Sequence, residues 1–349
     1  MFNRCDTLAS AVLITVALFP PSQPGIPAEP EKTAARKPRL ESLPQRVPEP
    51  KENPATEAKV ALGRQLFFDP RLSGDNSLSC AACHVPRQGW ADGLAGSKGA
   101  GGKTLARNTP SVLNTALLGP LLWDGRAASL EQQSLGPITA PDEMNQDLDL
   151  LERELHSVPG YQKQFEAVFG TGVTRDGIAQ SLAAFQRTLV SRRSPLDRYL
   201  AGEKKALSAS ARRGMELFTG EAGCIRCHHG PLLTDGKFHR LGVSFRDRGR
   251  GAVTSRREDL YKFRTPPLRD VARTAPYMHD GSLKTLAEVV EFYYRAAPTK
   301  APGGLPLDIM PLAAQSFSDI DDLVAFLQAL TGEPPHVTPP KLPKRSAQE

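Results

Sequence analysis

The sequence reads C-A-A-C-H at residues 80–84 and C-I-R-C-H at residues 224–228, and these two stretches decide the fold. In a C-x-x-C-H pattern the two thiols add to the vinyl groups of a haem, and the histidine becomes an axial ligand of its iron. The sequence therefore predicts two covalently bound c-type haems. Their attachment and ligation would use six residues: Cys80, Cys83, Cys224, Cys227, His84 and His228.

The alternative for these cysteines is a zinc site or a redox dithiol. A four-cysteine zinc site usually brings its two pairs within about 20 residues of each other. Here the pairs begin at residues 80 and 224, and a histidine follows each pair at the same position. This arrangement favours two haems over zinc.

Length and composition allow two haem-binding domains. The 349 residues are 40% hydrophobic, which is enough for two cores with one haem each. Aromatic residues make up 6%, but a buried porphyrin supplies apolar surface of its own. Nucleic-acid binding is not indicated, because the arginines are scattered, and the two aromatics of the densest run, residues 246–264, stand together near its end as Tyr261 and Phe263 rather than alternating with the arginines. We predict a solvated loop for this run, with Arg264 as a candidate partner for a haem propionate.

The N-terminus has the pattern of an export signal. Arg4 precedes an apolar run from Leu8 to Phe19, which is too short to span a bilayer. Haem attachment to C-x-x-C-H takes place outside the cytoplasmic membrane, so both features predict a periplasmic protein. We expect residues 1–20 to form a signal peptide, or a short anchor if they are not cleaved, and we expect no other membrane span.

The rest of the chain divides into ordered and disordered parts. Residues 21–55 are rich in Pro, Glu, Lys and Arg, which predicts a disordered linker, and we expect a disordered tail over 334–349. Between them, apolar residues recur at helical spacing, without convincing alternating runs of β-branched residues. We predict an all-α protein with long ordered loops and helices over residues 56–69, 148–155, 160–169, 174–191, 208–219, 283–294 and 317–330.

The two halves repeat the same pattern of residues. G-x-x-L-F precedes each haem motif, at residues 63–67 and 214–218, and T-P follows each motif, at 109–110 and 265–266. Four more residues recur at identical offsets after the T-P pairs: Pro120, Asp124, Gly125 and Leu130 match Pro276, Asp280, Gly281 and Leu286. We interpret this as an internal duplication of one cytochrome c-like haem unit.

The positions at which the copies differ indicate separate roles for the two haems. We divide the ordered chain into residues 56–204 and 205–333. In the first domain Trp123 stands where the second has His279, and Glu143 lies beyond the repeated part. We therefore expect the first domain to hold a peroxidatic haem and the second an electron-transfer haem.

The first haem has no obvious second protein ligand. Between residues 85 and 155 there is no histidine, and Met144 is the single methionine. An iron with one protein ligand has an open position at which peroxide can bind. Glu143 is a candidate acid–base group, since a carboxylate beside that position can carry the proton that peroxide cleavage requires. On its own, Glu143 is more typical of a surface charge, and Trp123 of a core residue.

Four further motifs are shared with a known family. They are R-N-T-P at residues 107–110, W-D-G-R at 123–126, E-M at 143–144 and P-Y-M-H-D-G at 276–281. With them, the chain resembles the bacterial di-haem cytochrome c peroxidases and the related MauG-type di-haem enzymes over about residues 56–332. The resemblance implies that Trp123 is the electron bridge between the haems.

The same resemblance implies roles for several other residues. Glu143 takes the position of the catalytic glutamate, and Gln133 that of the glutamine that lines the peroxide pocket. A calcium ion is implied between the domains, held by the Asn108 side chain and the backbone carbonyls of Thr274 and Pro276. These are hard oxygen ligands of the kind that calcium prefers. The family also suggests a homodimer.

The chain departs from the family pattern at three places. Many peroxidases cap the first haem with a histidine, but the corresponding stretch around Ala100 is Gly-Ala-Gly-Gly, which implies an iron that is open without prior reduction. Tyr293 replaces the axial methionine of the second haem, as in the MauG-type enzymes, with Met278 and Met310 as rival ligands. A tyrosinate ligand would lower the haem potential. The methylamine-utilisation enzyme has a tryptophan at the position of Ala222, and it uses that tryptophan to exchange electrons with its protein substrate.

We expect a periplasmic di-haem peroxidase that reduces hydrogen peroxide to water. Its electrons would come from a small cytochrome c or a cupredoxin. One alternative is a MauG-like oxidase that uses peroxide to oxidise a protein or an organic substrate. A second alternative, from a different class, is a non-catalytic electron-transfer cytochrome.

Overall fold

The computed structural model describes residues 37–295, 300–308 and 317–345. The predicted signal peptide, the first part of the predicted linker and the rival ligand Met310 lie outside these residues. Within the described part of the chain, no helix combines the length and the apolar character that a membrane crossing requires.

The protein is rich in helices, as predicted. The described residues contain eleven α-helices: α1 (Glu57–Phe67), α2 (Cys80–Cys83), α3 (Leu130–Thr139), α4 (Leu148–His156), α5 (Pro159–Phe169), α6 (Arg175–Arg187), α7 (Pro195–Leu200), α8 (Ala209–Thr219), α9 (Arg250–Thr254), α10 (Leu286–Tyr294) and α11 (Phe317–Gln328). Four two-residue strands form two antiparallel pairs: β1 (Phe238–His239) with β2 (Phe263–Arg264), and β3 (Lys300–Ala301) with β4 (Leu305–Pro306).

Side-chain caps define where the predicted helices begin. The Thr56 hydroxyl accepts a hydrogen bond from the Lys59 amide at 3.3 Å at the start of α1. Thr285 and Glu288 form a capping box at the start of α10, in which each side chain bonds to the other residue's backbone amide. All seven helices that hydrophobic spacing predicts are present, with ends shifted by a few residues.

Helix α3 is the longest helix that the sequence analysis missed. Gly136 and Pro137 lie inside it, and both residues are unfavourable in a helix interior. The helix forms because its buried residues Leu130, Ser134 and Ile138 pack against α6. Tertiary packing thus overrides local preference in the segment that carries Gln133.

Two pairs of helices organise two hydrophobic clusters. Helix α1 packs against α6 in a cluster of buried side chains from residues 62–189, and α8 packs against α11 in a second cluster from residues 196–330. In each pair the helices touch at a glycine. A Cβ added at Gly63 would overlap the Ser181 carbonyl, and one added at Gly214 would overlap the Asp322 carbonyl.

Matching positions after the two haem motifs have the same backbone conformation. Positive φ angles occur at Asn114 (61°), Leu122 (70°) and Gly125 (67°), and at Asp270 (59°), Met278 (71°) and Gly281 (64°). Helices α3 and α10 then begin at the matching residues Leu130 and Leu286. The local structure of the two halves is therefore alike in the segment that follows each motif.

Residues 37–55 are packed against the folded halves, so the expectation of disorder is wrong for this part of the predicted linker. The Glu41 carbonyl accepts a hydrogen bond from Arg269 at 2.8 Å, and the Asn53 amide donates to Glu131 at 2.7 Å. Proline fixes φ, so a proline-rich extended segment loses less backbone freedom on folding. Polar groups of the folded halves satisfy its backbone.

The described part of the predicted tail is also ordered, so the expectation of disorder is wrong for residues 334–345. Val337 packs against the first hydrophobic cluster. Arg64 of α1 donates a hydrogen bond to the Thr338 carbonyl at 2.8 Å. The C-terminal segment therefore returns from the second half of the chain to the first.

Gly214→Ala should destabilise the protein by about 3 kcal/mol or more, because the backbone carbonyl of Asp322 leaves no room for a methyl group. The free energy of unfolding is measured by urea titration of the haem-loaded protein. Gly136→Ala is the matched control, since nothing lies within 4 Å of a Cβ at this exposed helical position. It should be neutral or slightly stabilising. Equal stability of the two variants would show that the close α8–α11 approach is not required.

Candidate active site

One continuous cavity runs between the two halves of the protein. Its volume is about 1220 Å³, larger than the roughly 300–1,000 Å³ of common small-molecule pockets. Both C-x-x-C-H motifs line it, through all four cysteines and both histidines. The cavity therefore has room for more than one large ligand and offers an attachment point for each.

Both motif histidines are oriented as iron ligands. Nδ1 of His84 lies 3.2 Å from the Trp90 carbonyl oxygen, and Nδ1 of His228 lies 3.0 Å from that of Leu233. A carbonyl oxygen only accepts, so each Nδ1 carries the proton and donates, which leaves the Nε2 lone pair for a metal. Burial lowers the pKa of His84, and it lowers the pKa of His228 to about 4. Both rings are therefore neutral, as iron ligation requires.

The motif cysteines do not form a common metal site. Within the described ranges, one group of three potential ligands has its ligand atoms within 4.8 Å of one another, and it consists of Cys227, Asp235 and His239. This group contains a single motif cysteine, so a four-cysteine zinc site is not formed. Burial raises the pKa of Cys80 to about 12 and that of Cys224 to about 11, which matches thiols in an apolar cavity.

Trp123 lies on the cavity wall and is held by both halves of the chain. Its indole Nε1 donates to the Asn108 carbonyl at 2.9 Å. Its own carbonyl accepts a hydrogen bond from the Arg264 amide at 2.8 Å. The ring therefore has a fixed orientation in the cavity that both haem motifs share.

Glu143 and Gln133 line the same cavity, and both are partly buried. Burial raises the pKa of the Glu143 carboxyl, the positive charges of Arg126 and Arg107 act against the rise, and Asp142 adds to it. The negative charge of Glu143 in turn contributes to the raised pKa of Cys83. Glu143 is therefore close to the first haem-attachment motif.

A glycine-rich turn lies next to Glu143. The Ala100 amide donates to the Glu143 carbonyl at 2.7 Å. A Cβ at Gly99 would overlap the backbone of Asp142, whereas nothing lies within 4 Å of a Cβ at Gly101. The side chains of this turn extend no further than a methyl group, so residues 99–102 offer no side-chain ligand for a metal.

The candidate ligands of the second haem lie on the cavity wall. Tyr293 and Met278 both line the cavity. Burial raises the pKa of the Tyr293 phenol, with a further contribution from the nearby cysteines Cys224 and Cys227. The phenol is therefore neutral unless a bound cation stabilises its anion.

The three residues of the predicted calcium site all line this cavity. The Asn108 amide nitrogen donates to the Leu94 carbonyl at 2.8 Å, so the amide oxygen is the atom that can serve as a ligand. Thr274 and Pro276 lie on the same wall. No contact among the three residues follows from this shared lining, and the calcium site stays a prediction.

An ion-pair network between the halves was missed by the sequence analysis. Arg107 contacts Asp124 and Asp247, each at 2.6 Å, and Arg126 contacts Asp124 at 2.8 Å. Arg107 and Asp124 belong to motifs that the sequence analysis quoted, but no pattern pointed to Asp247 as their partner. Only the folded chain brings residues so far apart in sequence into contact.

The prediction of a solvated loop over residues 246–264 is wrong at Arg250, and Arg264, the predicted propionate partner, is buried as well. Arg250 is 5% exposed and Arg264 is 4% exposed. Arg250 donates to the carbonyls of Asp124 and Gly125 in the first half of the chain. A dense run of arginines is typical of a solvent-exposed segment. Here the guanidinium groups donate hydrogen bonds to backbone carbonyls at the junction of the two halves.

A helix-rich fold in which two C-x-x-C-H motifs line one cavity defines a di-haem c-type cytochrome. The model of the di-haem cytochrome c peroxidase family matches residues 57–205. Methylamine utilization protein MauG of Methylorubrum extorquens is 47% identical over 308 residues, which cover 86% of each chain. Cytochrome c551 peroxidase of Pseudomonas aeruginosa is 37% identical over 313 residues, again 86% of each chain.

A solved structure of a MauG-like protein associated with microbial copper homeostasis superposes with a TM-score of 0.75 at 32% identity, covering 83% of this chain and 95% of that one. The chain therefore belongs to the di-haem cytochrome c peroxidase family, which confirms the resemblance seen in the sequence. It is an oxidoreductase that acts on peroxide and carries two c-type haems.

Replacing both Cys224 and Cys227 with serine should leave one covalently bound haem per chain instead of two, because the second haem loses both thioether bonds. The haem count is read from the mass of the denatured protein and from the pyridine haemochrome spectrum. Cys5→Ser is the matched control, since Cys5 is the one cysteine outside the motifs, and it should retain both haems. Two covalent haems in the double variant would contradict the assignment of the second motif.

Proposed function

We propose that this protein is a periplasmic di-haem peroxidase whose first domain, residues 56–204, holds the peroxidatic haem. The second domain, residues 205–333, would hold the electron-transfer haem. The observation that carries the proposal is the position of Glu143, a partly buried carboxyl close to Cys83 on the wall of the haem cavity. Reduction of hydrogen peroxide needs an acid–base group at this place.

When bound, the haems would supply the redox chemistry, with electrons from an external donor, and the chain supplies proton transfer and orientation. Burial raises the pKa of Glu143, so its carboxyl holds a proton at a higher pH than an exposed glutamate does. A raised pKa makes this carboxyl a better proton donor than an exposed glutamate. The Gln133 amide, which lines the same cavity, can both donate and accept hydrogen bonds to a peroxide molecule.

The turn at residues 99–102 supports a site that is open in the oxidised protein. Its side chains cannot reach a metal, and its backbone is bonded to the Glu143 loop. No prior reduction would then be required to free the first haem.

Electrons would reach the first haem through Trp123, which has a fixed orientation in the shared cavity. We further propose a small cytochrome c or a cupredoxin as the donor, and calcium at Asn108, Thr274 and Pro276. The matching backbone conformations of the two halves support an internal duplication. We also propose that residues 1–20 direct export of the protein and that the protein forms a homodimer.

The test is steady-state oxidation of a reduced small cytochrome c by hydrogen peroxide, with the as-isolated, oxidised protein. We expect turnover without prior reduction. Glu143→Gln should lower it by about 10²-fold or more, with both haem spectra nearly intact, because the proton carrier is lost. Asp149→Asn is the matched control: this exposed carboxylate pairs with Arg175 and does not line the cavity, so the variant should turn over at nearly the wild-type rate. Normal turnover of Glu143→Gln would reject the assigned role.

Tyr293 supports a second candidate function, a MauG-like oxidase that uses peroxide to oxidise a protein or an organic substrate. This residue lies on the cavity wall near Cys224 and Cys227. An anionic phenolate favours ferric iron and lowers the potential of the haem that it ligates. A low-potential second haem would suit such an oxidase better than turnover fed by a small cytochrome.

A potentiometric titration distinguishes the two candidates. If Tyr293 is a ligand, Tyr293→Met should raise the midpoint potential of one haem, because a thioether stabilises ferrous iron. Tyr294→Phe is the matched control: Tyr294 is adjacent on α10 but packs in the second hydrophobic cluster, so both potentials should stay unchanged. A high potential of the second haem in the wild-type protein would argue against the MauG-like function. An unchanged potential in Tyr293→Met would exclude Tyr293 as a ligand.

A further inference from the structure

Arg264 is a buried cation without a carboxylate partner. Its side chain is 4% exposed, and no carboxylate oxygen lies within 4.0 Å of its nitrogens among the residues that the structure describes. The two internal stretches outside the description, 296–299 and 309–316, contain no aspartate or glutamate. Within the ranges that the structure describes, no carboxylate therefore balances this charge at close range.

Other buried arginines of this protein are better satisfied. Arg269 pairs with Asp197 at 2.7 Å, and Arg187 pairs with Glu131 at 2.7 Å. Arg240 has no carboxylate partner, but it donates to three carbonyls at 2.6–2.8 Å and does not line the cavity. Arg264 makes long hydrogen bonds, at 3.2 and 3.3 Å, and it does line the cavity.

An isolated buried charge is costly, because the interior cannot replace its hydration. In the absence of an anion, burial lowers the pKa of Arg264 to about 10, which expresses that cost. A guanidinium that reaches into a cavity under these conditions matches a carboxylate ligand, with which it can form two parallel charge-assisted hydrogen bonds.

A second polar group on the same wall has no partner. His279 is 4% exposed, and its Nε2 makes no hydrogen bond within the described structure. Its ring stacks on that of Phe263 at 3.7 Å between centroids, and Phe263 precedes Arg264 in β2. Two buried polar side chains that line the cavity, Arg264 and His279, are therefore left for a ligand.

We infer that Arg264 binds a propionate group of one haem and that His279 offers a second donor to the haem carboxylates. Each haem brings two carboxylates into the cavity, and these are the anions that the buried donors lack. The inference rests on the presence of the haems and not on the proposed peroxidase turnover. Its failure would therefore leave that function standing.

Arg264 would also act as a positioning residue for Trp123. Its backbone amide donates to the Trp123 carbonyl at 2.8 Å, and its Nε donates to the Leu122 carbonyl at 3.2 Å. A propionate held by the same guanidinium would fix the tryptophan loop relative to the haem. The Arg264 side chain would thus link a haem propionate to the loop that carries Trp123.

The test compares holoproteins by resonance Raman spectroscopy, in which the propionate bending band reports hydrogen bonds to that group. Arg264→Lys keeps the charge but loses the planar fork, so the band of one haem should shift. Arg250→Lys is the matched control: Arg250 holds the adjacent carbonyls of Asp124 and Gly125 but does not line the cavity. It should leave the band in place.

A second measurement removes the charge. In Arg264→Leu we expect a fall in the midpoint potential of one haem, because loss of a nearby cation favours ferric iron. If Arg264→Leu does not fold, the Raman comparison of Arg264→Lys decides. Wild-type Raman bands in Arg264→Lys would overturn the inference, as would wild-type potentials in a folded Arg264→Leu protein. The same band shift in Arg250→Lys would also overturn it, because the effect would then arise from the loop.

Discussion

Each motif histidine can ligate iron only if its Nδ1 donates to a fixed acceptor and its Nε2 faces the cavity. The carbonyls of Trp90 and Leu233 meet this requirement, so the chain must fold back on itself within a few residues of each motif. The paired helices α1 with α6 and α8 with α11 provide the rigid support for these loops. Much of the remaining chain is loop because it has to surround flat ligands rather than pack against itself.

Covalent chemistry and hydrophobic spacing made part of this structure predictable. C-x-x-C-H identifies its ligand without tertiary information, and amphipathic helices such as α6 and α8 follow from their spacing. Helix α3 could not be predicted, because burial against α6 overrides its internal proline. Charged segments were the main failure. Whether an arginine such as Arg250 faces water or a buried carbonyl depends on residues distant in sequence.

For the site residues too, the sequence predicts the identities but not the electrostatic environment. Trp123 and Glu143 were named from motifs and Gln133 from the family resemblance, and all three line the cavity. Their electrostatic setting could not be read from the sequence, since the Arg107–Asp247 contact joins residues 140 positions apart. This network places two arginine charges near Glu143 while burial favours its neutral form. The balance between these opposing effects is a property of the folded protein and not of any motif.

The terminal segments cross between the two halves in opposite directions. Leu40 packs in the second hydrophobic cluster before the chain enters the first, and Val337 packs in the first cluster after the chain leaves the second. The second half is thus completed by a residue that precedes the first half, and the first half by a residue that follows the second. We expect two haem units joined in this way to unfold together rather than one after the other, because each half loses packed residues when the other unfolds.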